Sequence, residues 1–345
     1  DLSTTEISYL TASQMPALTT DQIIGLIETQ LGAFSSSQLN ALSSSQVRAV
    51  EVADLQAVLP NKLALASTSF VQALTSTQVN ALGSSQLKAL TSTQVRALTS
   101  SQLNSLDTVN LQSIDTSDIQ ALSKDQLTGL SSDIVNSLTA LQVRALTTSQ
   151  VSVLTSVQIN NLDSNTLAEL STNQIQALNS SQVSNLSTAQ AVNLGSAQVA
   201  ALTTTQFNRL SSVALQAITT SALQNIGSTQ IAGISSVQLN KLSTEQVASL
   251  TNIQVKNLTS TQLNGLSSVA LQALETKDIQ ALTSPQIQSL TSSQLNKLSA
   301  EQVKVLTSTQ LQSLRDTQLN GLTSSTLQAL ENDQLNALTS SQVAR

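Results

Sequence analysis

The side chains able to do chemistry are few. The sequence has no His, Cys or Trp, so the commonest acid–base catalyst, the thiol nucleophiles and the usual zinc and haem ligands are missing. Hydroxyls abound, and eight lysines could activate one as a Ser–Lys pair. Those hydroxyls recur at fixed places, however, which points to a backbone role. Asp107, Asp115, Asp118, Asp125 and Asp133 form one acidic concentration, and oxygen-rich loops of that kind suit calcium. Asp107 and Asp115 stand where Ser or Thr stands elsewhere, and Asp is an ordinary helix N-cap. No EF-hand or glycine-rich nonapeptide accompanies them, so Asp107, Asp115 and Asp118 are weak metal candidates. No catalytic residue and no cofactor is expected, and the chain reads as a non-enzyme.

Fourteen basic against twenty acidic residues give a net charge of −6, which disfavours a phosphate-binding surface and nucleic acid as a partner. No stretch approaches the roughly 20 apolar residues of a membrane span. The opening Asp1-Leu2-Ser3 lacks the basic and apolar regions of a signal peptide, so a signal is expected to lie outside this sequence or to have been removed.

The element that positions these residues is an octad. From Leu74 the chain reads LTSTQVNA, LGSSQLKA, LTSTQVRA, LTSSQLNS, and the register runs unbroken from Leu2 through 43 octads. Position 1, the register of Leu2 and Leu10, is always apolar, as is position 6. Position 2 is Ser, Thr, Asp or Asn in 34 octads, and position 5 is Gln in 30. Ser or Thr followed three residues later by Gln is a capping box, and positions 1 and 6 then fall at the two sites of a hydrophobic staple. Pro60 sits at position 3, the N1 site that suits proline. A helix start every eight residues leaves about six residues of helix per octad.

One continuous helix fails, because eight residues advance about 800° and the apolar positions would wind around it. A β-solenoid is the serious alternative, yet positions 1 and 6 have opposite parity and cannot both face inward from one strand. A six-residue helix is unstable alone, so octads must stack into a cooperative solenoid. The expected fold is an all-α solenoid of short capped helices, with residues 1–73 as divergent repeats and 74–345 as the regular array.

A longer period lies inside the short one. Leu202–Ala217, Leu258–Ala273 and Leu314–Ala329 recur at a spacing of seven octads. Departures from Gln at position 5 follow the same spacing: Asp54, Asn110, Thr166, Ala222 and Asp278, and a second set Ala214, Ala270 and Thr326. Duplication of a block explains the recurrence. A coil of about 3.5 octads per turn explains why the block is seven, since octads of about 10–12 Å would then close a turn that Leu and Val can fill. Within 1–73, Pro16 falls at position 7, where it should break a helical bond. Phe34 and Phe70 are unusual there. With the five substituted position-5 residues, they are candidates for assembly or docking.

The octad resembles the opening L-T-x-x-Q-V-x-A of each repeat in TAL-effector DNA-binding proteins, without their base-reading hairpin or basic charge. As an array it is similar to the tandem L-[ST]-x-x-Q-[VIL]-x-[AG] octads of very large secreted or surface proteins of proteobacteria, described as adhesins or haem-associated exoproteins. That resemblance implies an extracellular structural segment. Residues 1 and 345 both fall at position 8, and neither end carries a charged capping repeat, so head-to-tail stacking into a filament is expected. The alternatives are a ligand-binding solenoid offering Ser, Thr, Asn and Gln to glycan or protein, and an ice-binding hydroxyl lattice, which needs a β-solenoid or a flat face.

Overall fold

A computed structural model of the chain describes residues 2–344. Among them are 42 α-helices of four to six residues, one 3-10 helix and no strand. The fold is an all-α solenoid. The β alternative is not adopted, and with it goes the strand lattice that an ice-binding reading would use.

Each octad is built as its sequence prescribes. In residues 138–145, Thr139 is the N-cap at φ −67°, ψ 157°, and the helix is Ala140–Ala145. Thr139 Oγ1 accepts the Gln142 N–H at 3.2 Å, and Gln142 Oε1 accepts the Thr139 N–H at 3.0 Å. Leu138 and Val143, before the cap and at the fourth helical position, are both buried. Pro60 opens its helix, Pro60–Ala64, at N1. Pro16 has the expected effect: its octad forms the 3-10 helix Met15–Ala17 in place of an α-helix.

The corner between octads uses two extended residues in succession. Leu146 leaves its helix at φ −57°, ψ 135°, and Thr147 caps the next at φ −70°, ψ 159°. No described residue has a positive φ. The corner therefore makes no demand for glycine, and Gly83, Gly195 and Gly227 serve as N-caps at ordinary angles.

The chain divides into two compact units, Asp1–Ala177 and Leu178–Arg345, the divergent stretch lying in the first. In the first unit, Gln142 Nε2 donates to Leu111 O at 3.0 Å and Ile114 O at 2.9 Å, 31 and 28 residues earlier. In the second, Gln254 Nε2 donates to Leu223 O at 2.8 Å and Ile226 O at 3.0 Å in the same register. A side chain at position 5 thus reaches position 6 of one octad and position 1 of the next. Each octad lies over the junction of two octads in the preceding turn. The shorter of the two reaches, 28 residues, is three and a half octads, and the longer, 31 residues, is three residues more. Each unit therefore coils at about the expected pitch, and seven octads complete two turns. Position 1 and position 6 side chains fill the interior of each unit: Val79 and Leu82, or Leu263 and Leu266, are all buried.

Candidate functional site

The chemistry of this protein is concentrated between turns. A buried Gln has one acceptor and two donors, and at most position-5 sites the structure uses all three. Gln102 shows the pattern: Oε1 accepts the Thr99 N–H at 2.7 Å, while Nε2 donates to Leu74 O at 2.6 Å and Val71 O at 3.1 Å. Sequence reasoning found only the cap half of this role. A capping box accepts Glu as readily as Gln, but a carboxylate would aim an acceptor at two carbonyls. Glu occupies position 5 once, as Glu6 in the first octad, whose inter-turn partners would fall outside this sequence. That near-absence of Glu was the signal for the second half.

A second ladder runs the opposite way from position 7, and sequence reasoning missed it. Gln56, Gln112, Gln216 and Gln272 each donate Nε2 to the position-8 carbonyl 25 residues later at 2.9 Å. Asn208, Asn240 and Asn296 do the same to Gly233, Gly265 and Gly321 at 2.8–3.0 Å. Asn is one methylene shorter, so the next turn must come closer. A Cβ at Gly233 would lie 2.6 Å from Thr204 Cγ2, and one at Gly265 2.4 Å from Ser236 Oγ. In these joints a short side chain at position 7 meets a bare position 8, whereas Asn40 and Asn264 make the same bond to Leu65 O and Ser289 O, at 3.1 and 2.8 Å, where position 8 keeps its side chain.

Asn residues at position 7 also supply the missing cap acceptor to several octads that lack Gln. Their Oδ1 atoms accept the N-cap N–H 27 residues later: Asn80 serves Asp107 at 2.8 Å, Asn104 Ser131 at 2.8 Å, and Asn240 Ser267 at 2.8 Å. The octads so served carry Asn110, Ile134 and Ala270 at position 5. Asn40, Asn136 and Asn296 likewise serve those of Phe70, Thr166 and Thr326. Asn208 and Asn264 accept from Ser235 and Thr291 in the same way although those octads keep Gln238 and Gln294, so the bond does not require the loss of Gln.

The remaining candidates are distributed as follows. Asp107 accepts the Asn110 N–H at 2.8 Å as a cap. Asp115 lies 3.9 Å from Lys88 in an exposed pair, and Asp118 accepts Ser92 Oγ at 2.6 Å from the preceding turn. Among the described residues no three His, Cys, Asp or Glu side chains are grouped to hold a metal ion. Phe34 and Phe70 are buried in the first unit's core, and Asp54, Asn110, Ala222 and Asp278 are buried between turns. Thr166, half-buried, bonds Asp163. Substitution at the buried ones would alter packing rather than the outer face. That face carries hydroxyls at positions 2 and 4, with Val109, Leu141, Val157, Val213, Val237, Ile253 and Val269 exposed at position 4. No helix of the described residues is long and apolar enough to cross a membrane.

Fold and ladders define the chain as a regular α-helical octad-repeat protein. Residues 73–108 and 255–292 match the family model of the ALTTAQ repeat. The first match opens with Ala73–Gln78, ALTSTQ, which spans the corner, the cap and the inter-turn Gln. No curated protein matches the chain.

Proposed function

We propose that this chain is a non-enzymatic structural segment of an extracellular or cell-surface assembly, such as a filament, surface layer or adhesin stalk, that stacks head to tail with copies of itself. The sameness of the joints carries this reading. In both units, one turn meets the next through glutamine donors on one side and paired carbonyls on the other. Such a joint is heterologous, and heterologous contacts that do not close on themselves generate open arrays. Similarity of two segments to the ALTTAQ repeat, and a chain almost wholly given to one octad, agree with a structural role.

Negative-stain microscopy over a rising concentration series tests it. Particles that lengthen with concentration at constant width are expected, and short particles of constant length at every concentration overturn the reading. A second reading rests on the outer face, where Thr93, Ser101, Ser117 and Ser149 present hydroxyls at position 4. In this reading the array binds glycan or protein ligands. Retention on a glycan array by chains that never lengthen would favour it over self-assembly.

A further inference from the structure

Asp278 stands at position 5 of its octad and is wholly buried. Its Oδ2 accepts the Glu275 N–H at 3.2 Å, the bond that Gln Oε1 makes elsewhere. Its Oδ1 is buried without a hydrogen-bond partner. That oxygen stands on the side where Gln carries its NH2. In the next octad Gln286 donates to Val255 O at 3.1 Å and Leu258 O at 2.8 Å. The same register sets Val247 O and Leu250 O before Asp278, so acceptor faces acceptor. Asp54 repeats the arrangement in the first unit, four seven-octad blocks earlier in the sequence, with Oδ2 buried and unpartnered and Ile23 O and Leu26 O in register. Asp118 is the contrast, because Ser92 supplies a hydroxyl donor to its carboxylate.

We propose that Asp278, with Asp54 as its counterpart, is a proton-operated clasp between turns. Protonated, its carboxyl donates a hydrogen bond to the preceding turn in place of the glutamine amide. Ionised, it sets a buried negative charge against two carbonyl oxygens, and that turn loosens. The step is the gain or loss of one solvent proton.

The charged surroundings leave the clasp unpaired. Glu275 and Lys277 on its own octad pair with each other. Of the helices packed against it, Asn252–Lys256 brings Lys256, and Ala300–Lys304 brings Glu301 and Lys304, which pair at 2.8 Å. Glu245 lies in the octad of Val247. Around Asp54, Glu51 and Glu28 add negative charge, and the packed helix Ser76–Ala81 has none. Burial pushes the Asp278 carboxyl up to about 6, against the pull of the Glu275 N–H and the Lys277 charge. Burial also raises Asp54, helped by Glu51 and Glu28. Since the native state holds this proton more tightly than the unfolded chain, the clasp's contribution is complete below about pH 4 and is lost as pH rises through about 6.

The test compares the full chain with its Asp278→Asn variant between pH 4 and 7.5. Asparagine keeps the size and carries an NH2 at every pH. The melting temperature of the variant should gain on the wild type as pH rises from 4 to 6, then hold a constant lead. Amide exchange over residues 247–251, corrected for its intrinsic pH dependence, should quicken by up to about tenfold in the wild type between pH 5 and 7, and not in the variant. A difference independent of pH, or a wild type that gains as pH rises, overturns the proposal. Should Asp278→Asn not fold, Asp278→Gln installs the side chain found at most position-5 sites, and the same two outcomes decide.

Discussion

At the residue scale the protein turns on the carboxamide. The cap box was legible because Ser or Thr and Gln recur three residues apart. The inter-turn bonds were less so, because their partners are backbone carbonyls 28 and 31 residues away, which no local pattern marks. Gln142→Glu should cost about 2–4 kcal/mol at pH 7, since it places a buried carboxylate against Leu111 O and Ile114 O. Urea unfolding should show part of that loss recovered at pH 5, where the new carboxyl takes up a proton. Loss of one long-range partner can also be compensated. Gly233→Ala should cost about 1–3 kcal/mol through its clash with Thr204. Adding Asn208→Gln restores the longer spacer and should return most of that loss, so the double-mutant cycle should show coupling well above the error of two independent changes.

At the element scale almost everything was written locally. Starts are sharp because the N-cap is specified, as at Thr139 and Thr147, while ends vary between positions 6 and 8 because nothing in the octad names a C-cap. The helices persist at four to six residues because neighbours bury both apolar anchors of the octads from Phe34 to Leu311, and only towards the two ends do anchors such as Leu2, Leu327 and Leu335 become exposed. The 3-10 helix at Met15–Ala17 is the exception that a single side chain imposes. Pro16→Asn gives that octad the amide hydrogen and the position-7 side chain common elsewhere. The variant should gain about 1–2 kcal/mol and show increased helical ellipticity by circular dichroism. An unchanged spectrum would mean that neighbouring side chains, rather than the proline, set the 3-10 form.

At the scale of the whole molecule, the seven-octad period carried the coil pitch, because seven octads realign after two turns when each turn holds three and a half. The division after Ala177 had no counterpart in the sequence, since the octad register passes through it without insertion. Charge contributes little: the four ion pairs of the described residues are exposed. Raising NaCl from 0.1 to 1 M should therefore shift unfolding by less than about 0.5 kcal/mol, a quantity that thermal melts at the two salt levels will give directly. The lapped joint, where each glutamine straddles the seam of two earlier octads, has a mechanical consequence. Tension applied along either coil falls on paired bonds at staggered seams, as it does in a wall laid in running bond. Such a coil, pulled by its ends, should pay out thread by whole windings of 28 residues, each releasing roughly 90–100 Å of contour length.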